Sequence, residues 1–120
     1  MRNSTVSENE ASQGGGILSD SAQTTRVLNT IVAGNVGVTG PDVSGHFADQ
    51  GNNLIGSAED SSGFTNSLFV GTAANPIDPR LAPLADNGGP TRTHLLLSDS
   101  VAINSGRADG LSVTDQRGLA

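Results

Sequence analysis

Few residues of this 120-residue chain have side chains suited to chemistry. The histidines are His46 and His94, the side-chain type that titrates near neutral pH. His46 stands in Gly45-His46-Phe47, with Asp42 and Asp49 the nearest carboxylates in sequence. Hydrolysis of a glycosidic bond needs two carboxylates several Å apart across that bond. Nothing in the spacing of Asp42 and Asp49 fixes them so. His94 lies in Thr91-Arg92-Thr93-His94-Leu95-Leu96-Leu97. The alternation there predicts a strand with Arg92 and His94 on one face, opposite Thr93. The expected role of that face is solvation, or pairing with Asp86 or Asp99. Catalysis by His94 would need a nucleophile that the sequence does not place.

The remaining candidates read as turns. Asp86-Asn87-Gly88-Gly89-Pro90 has the composition of a turn, not of a calcium or sugar contact. Asp109 and Asp115 supply too few oxygens for calcium, which takes roughly six to eight. Asp115 and Arg117 are expected to form a local ion pair or turn cap. Gly14-Gly15-Gly16 is not followed by the Gly-Lys-Ser/Thr of a phosphate loop; it suits a tight corner. No catalytic, cofactor-binding or metal-binding residue is therefore expected, and the chain is expected not to be an enzyme.

Composition narrows the classes further. There is no Cys and no Lys, which excludes thiol, thiolate-zinc and Schiff-base chemistry. The six basic residues are the scattered Arg2, Arg26, Arg80, Arg92, Arg107 and Arg117, in a chain of net charge -6. Phosphate recognition needs such residues clustered, so no nucleic-acid partner is expected. No apolar run reaches the roughly 18 residues of a membrane span. The N-terminus carries no apolar segment of a secretory signal.

The elements that position these residues are short strands and turns. Apolar stretches such as Gly16-Ile17-Leu18, Val27 to Val32 and Asn53-Leu54-Ile55 are aliphatic and bounded by Gly, Asn, Ser and Asp. That is strand punctuation. The chain also aligns with itself. Asn3-Ser-Thr-Val6-Ser-Glu-Asn9 matches Asn29-Thr-Ile-Val32-Ala-Gly-Asn35 at an offset of 26, and Val32 matches Ile55 at 23. Ile17 and Val43 align at 26. Such periods mark solenoids. Stacked strands about 4.8 Å apart put like on like, and Asn3, Asn29 and Asn52 or Asn53 are candidates for an amide ladder.

NTIVAGN (29–35), GPDVSG (40–45), GNNLIG (51–56), DPRLAPLADNGGPTRTHLLLSDSVAINSG (78–106) and TDQRG (114–118) together resemble one family. It is the choice-of-anchor Q domain proteins, bacterial surface and secreted proteins with some likeness to polymorphic outer-membrane adhesins. The stretch from Asp78 to Gly106 is the specific part. Ser98-Asp99-Ser100-Val101 departs from the family's usual Pro-Gly-Ser-Pro type of turn, and Asn104-Ser105-Gly106 from its Asp-Ala-Gly. The resemblance implies a right-handed parallel β-helix at the cell surface or outside it. It carries no common active site to transfer. The β-helix polygalacturonases pair a Gly-His-Gly element with grouped Asp residues; here the second Gly and the paired Asp are missing.

The expected fold is all-β: about two to three coils of a right-handed parallel β-helix with an irregular C-terminal cap. Residues 1–56 are expected to form the coils and 57–77 a loop crossing the solenoid. Phe64, Leu68 and Phe69 would fold onto the side or end of the coils. Residues 78–120 are expected to form the cap, with Leu81 and Leu84 covering the core. The expected function is structural and adhesive: an exposed solenoid face binding a glycan or cell-surface matrix, in a longer parent protein with further coils upstream. A fragment of a β-helix polysaccharide lyase or hydrolase is the alternative, and a gene remnant without independent function a third reading.

Overall fold

The computed structural model describes residues 1–20, 22–67, 69–108, 110 and 112–119. It is all-β, with no helix among the described residues. The chain divides into two compact units, Met1–Pro79 and Arg80–Ala120. The first holds eight strands, in chain order β1 (Thr5–Val6), β2 (Ile17–Ser19), β3 (Thr25–Val27), β4 (Ile31–Val32), β5 (Val43–Asp49), β6 (Leu54–Ile55), β7 (Ser61–Ser62) and β8 (Phe69–Val70).

These strands pair in parallel in two sheets. One has the order β1-β4-β6-β8; the other has the order β2-β5-β3, with β7 also on β5. In the first sheet Val6 stands opposite Val32, Val32 opposite Ile55 and Ile55 opposite Val70. In the second, Ile17 stands opposite Val43. These are the partners that the self-alignment of the sequence pairs, extended by one further strand.

Corner residues explain why the strands are short. The apolar run from Val27 to Val32 is cut into β3 and β4 by Asn29, whose φ is 49°. Asn3 and Asn52 take the same left-handed conformation, at φ 50° and 55°. Asn is among the few side chains that enter this region readily. The Asn29 amide donates to Asn3 Oδ1 at 3.0 Å, and Asn9 Nδ2 donates to Asn35 Oδ1 at 3.0 Å. Amide stacking therefore occurs at two corners. Asn53 does otherwise: its Nδ2 donates to the Val27 carbonyl and to Asp49.

The core is a narrow cluster of Val27, Val32, Val43, Phe47 and Ile55, with Val6, Ile17, Ala58 and Phe64 packed against it. Each fully buried side chain of this kind contributes roughly 1.5–3 kcal/mol. Gly45, at φ 101°, interrupts the alternation of β5; a Cβ there would overlap the Ser19 carbonyl oxygen.

Residues 57–77 differ from the expected crossing loop. Ser61–Ser62 pairs with β5 and Phe69–Val70 pairs with β6. Phe64 stacks on Phe47 with ring centroids 4.9 Å apart, and Phe69 stands opposite Leu54. Leu68 lies outside the described residues. The edges of β5 and β6 carry donors and acceptors that need partners, and this segment supplies them. The step from Ile55 to Val70 is shorter than the earlier ones and the new strand Ser61–Ser62 has no apolar side chain, so the alignment fades here.

The second unit has isolated antiparallel bridges, Leu81 with Leu96 and Ala85 with Thr93, where a strand over 91–97 is expected. Pro83 and Pro90 lack the N–H that a continuous ladder needs. Leu81 is half-buried opposite Leu96, whereas Leu84 is 47% exposed.

Candidate functional site

Two buried aspartates bracket β5: Asp42 precedes it and Asp49 ends it. Burying a carboxylate costs several kcal/mol unless donors replace its water. Both are surrounded by donors, but not equally.

Asp49 is enclosed. Its Oδ1 accepts from Gly51 N at 3.0 Å and from Asn53 Nδ2 at 2.7 Å. Its Oδ2 accepts from Asn66 N at 2.6 Å, and the Ser67 hydroxyl lies 3.0 Å from both oxygens. Four donor groups therefore converge on one carboxylate. They come from the corner after β5 and from the segment that leads to β8, so Asp49 ties two layers of the first unit together.

Asp42 has fewer partners. Asn35 N and Nδ2 donate to Oδ1 at 2.9 and 3.0 Å, and Ser57 N donates to Oδ2 at 2.8 Å. Asn35 links this carboxylate to Asn9, whose N and Nδ2 both donate to Asn35 Oδ1. The close approach of Asp42 depends on Gly56. A Cβ at Gly56 would overlap Asp42 Oδ2 and come 2.9 Å from Ala33 Cβ.

Asp42 also lines a cavity of about 380 Å³ within the first unit, at the small end of the roughly 300–1,000 Å³ usual for ligand sites. Asn35, Ser57 and Asp78 supply the other polar side chains of its wall. Pro41, Pro76, Ile77 and Pro79 supply the apolar part. Ser57 is 2% exposed and its hydroxyl has no hydrogen-bond partner. The lining contains no Arg or His.

The other residues singled out by sequence fall elsewhere. Asp42 and Asp49 do not form an opposed acid–base pair; each is held by its own donors. His46 is exposed on β5, with Nδ1 2.9 Å from Ser62 Oγ. A serine–histidine contact alone is not a nucleophilic site, which needs a further group to orient the base. No carboxylate pairs with His46 among the described residues. His94 is half-buried, and its Nδ1–H donates to the Ala82 carbonyl at 2.8 Å. Asp99 pairs with Arg80 at 2.6 Å, not with the Arg92 and His94 face. The Arg80 guanidinium holds the Asp99 carboxyl below its ordinary value.

Asp86 Oδ1 accepts from Gly88 N, and Gly88 takes φ 80°, so this segment is a turn. Asp115 bonds Arg117 at 2.6 Å and also accepts from Arg117 N and Leu119 N. It is both ion pair and cap. The hydrogen bond to Arg117 lowers its pKa. Asp109 lies outside the described residues. No three His, Asp or Glu side chains gather as metal ligands among the described residues, and no described helix is long and apolar enough to cross a membrane.

The sequence offers Asp42 as a candidate catalytic acid and does not reveal its neighbours Gly56 and Ser57. The one available signal was the register. Aligning Val32 with Ile55 brings Ala33 beside Gly56, and with it the 42–43 corner. No protein-family model, curated protein or solved structure matches the chain.

Proposed function

We propose that the first unit is a stretch of right-handed parallel β-helix, and that the chain is a non-catalytic structural and adhesive segment of a secreted or surface-displayed bacterial protein. The observation that carries this reading is the parallel register, which sets Val6, Val32, Ile55 and Val70 in one row across four strands. Successive parallel strands joined at Asn and Gly corners are what a solenoid needs. Such a stack grows by adding layers and offers an extended face. Leu18, Arg26, His46 and Ser62 are exposed along the second sheet, and their mixed polar and apolar character suits contact with a glycan or matrix. The buried Asp42 and Asp49 have structural uses as acceptors, which supports a non-catalytic role. The resemblance of residues 78–106 to the choice-of-anchor Q block supports the cell-surface setting.

The test is binding of the intact chain to a panel of immobilised glycans and matrix proteins, with fractionation of the source cells. Saturable binding that weakens in Arg26→Ala and His46→Ala, with the protein in the surface or secreted fraction, is expected. A cytoplasmic protein that binds nothing on the panel would sink the proposal.

A further inference from the structure

We infer that the outer face of the second sheet takes an acidic glycan, one whose sugar carboxylates meet Arg26 and His46. The inference rests on the adhesive reading and names the ligand class for that face.

Register sets the geometry. β3 and β5 pair in parallel, with Arg26 opposite Ala48 and Val27 opposite Asp49. Val27, Phe47 and Asp49 are buried, whereas Arg26 and His46 are exposed. Alternation therefore puts Arg26, His46 and Ala48 together on the outer face. His46 is two residues before Ala48, so its Cα lies about 8 Å from that of Arg26, two steps along one strand and one strand across. Ser62 stands opposite His46 on the next strand. Between the two nitrogen-bearing groups the sheet carries only the Ala48 methyl, which adds little bulk against an incoming ring.

Charge decides the ligand. Arg80 and Arg117 each pair with an aspartate. The Arg26 guanidinium has no hydrogen bond and no ion pair among the described residues. The carboxylates closest to this face in sequence are committed elsewhere. Asp49 is buried among its own donors. Asp20 Oδ1 accepts from Ala22 N and Asp60 Oδ2 from Gly40 N. A guanidinium is always charged, and its planar fork matches a carboxylate. His46 adds a second donor. A Ser62 hydroxyl that donates to Nδ1 leaves the hydrogen on Nε2, which then serves a ligand. A neutral sugar would leave the guanidinium without a counter-charge. Nucleic acid would need a larger cluster of basic residues.

The experiment is calorimetric titration of the full chain with a glucuronic acid hexasaccharide and with the same hexasaccharide after chemical reduction of its carboxyls to alcohols. Saturable binding of the acidic form is expected, weakened at least about tenfold by the reduction, the scale of lost hydrogen bonds to a charged group. Arg26→Gln alters an exposed side chain and should keep the urea midpoint of the parent. It is expected to weaken binding of the acidic form by a similar factor, and His46→Ala by a smaller one. Arg92→Gln, which removes an exposed charge of the second unit, is expected to leave binding unchanged. Equal binding of both hexasaccharides would overturn this inference and leave the adhesive reading standing. Binding of neither, on a protein that still binds another member of the glycan and matrix panel, would do the same; binding of nothing at all would sink both. Equal loss in Arg92→Gln would reduce the effect to net charge, and equal binding of a polyglutamate peptide would assign the face to acidic peptides. Either result would overturn the inference.

Discussion

Asp42 and Asp49 sit seven residues apart at the two ends of one strand, are similarly buried, and do different work. Asp49 is closed in by donors from Gly51, Asn53, Asn66 and Ser67. Asp42 is held by two residues and borders a cavity. The difference teaches what a buried carboxylate can be for. With every lone pair committed, it is a rivet. With capacity left and space beside it, it can meet a ligand. Burial alone does not separate the two cases; the count of converging donors does.

The sharpest way to break this contrast is to neutralise each aspartate without changing its shape. Asp49→Asn replaces an acceptor by an amide whose NH₂ must face N–H and O–H donors. Removing one side of a buried charged network costs about 3–5 kcal/mol, and four donors would be left facing the new amide. Asp42→Asn is expected to cost less, because its cavity side admits solvent. Urea unfolding of both variants checks this. Equal losses would dissolve the distinction between closed and open sites.

Gly56→Ala attacks only the open site. The added methyl would overlap Asp42 Oδ2 and press on Ala33. Overpacking of this kind costs about 1–3 kcal/mol. The expected result is a lowered midpoint at unchanged m-value, together with a shift of the Asp42 side-chain resonances while those of Asp49 stay in place. A neutral effect would mean that the strand accommodates the methyl and that the glycine does not set the position of Asp42.

How much of this could be read from the sequence follows from the same contrast. Pairings between like residues were legible: Val6 with Val32, Val32 with Ile55 and Ile17 with Val43 are aliphatic residues repeated at similar offsets, and the structure pairs each of them. Parallel stacking makes a sequence resemble itself. Contacts between unlike residues were not legible. Asp42 with Ser57, and Asp49 with Asn66, join different residue types across a corner, where no periodicity applies. The strands within 57–77 were not legible for a related reason: Ser61 and Ser62 pair through backbone groups, which their side chains do not advertise. In the second unit the leucine-rich run 95–97 alternates less than it stays apolar, and its three leucines are each roughly 40% exposed, so a strand assignment there lacked a buried face to fix it.

Ser57→Ala has a smaller expected effect of opposite sign. The hydroxyl is buried without a partner, so deleting it removes a desolvation cost and no bond. Stability is expected to stay level or rise by up to about 1 kcal/mol, while the Ser57 backbone N–H still donates to Asp42. A loss above that size would show that the hydroxyl is satisfied in solution.

The smallest effect belongs to the exposed ion pairs of the second unit, the solvent-facing counterpart of both buried sites. Arg80 and Arg117 each lower the pKa of an aspartate, Asp99 and Asp115, from the ordinary value of 3.8. A carboxyl whose pKa is lower in the folded state stabilises the fold above its unfolded value, and that contribution fades as pH falls through the folded pKa. Both pairs are solvent-facing, so salt screens them. Carboxyl NMR titrations should place both midpoints below 3.8, and Arg80→Ala should return Asp99, but not Asp115, toward the ordinary value. High salt should move both toward the ordinary value. If Asp99 and Asp115 kept their lowered midpoints at high salt, solvent screening would not govern these pairs.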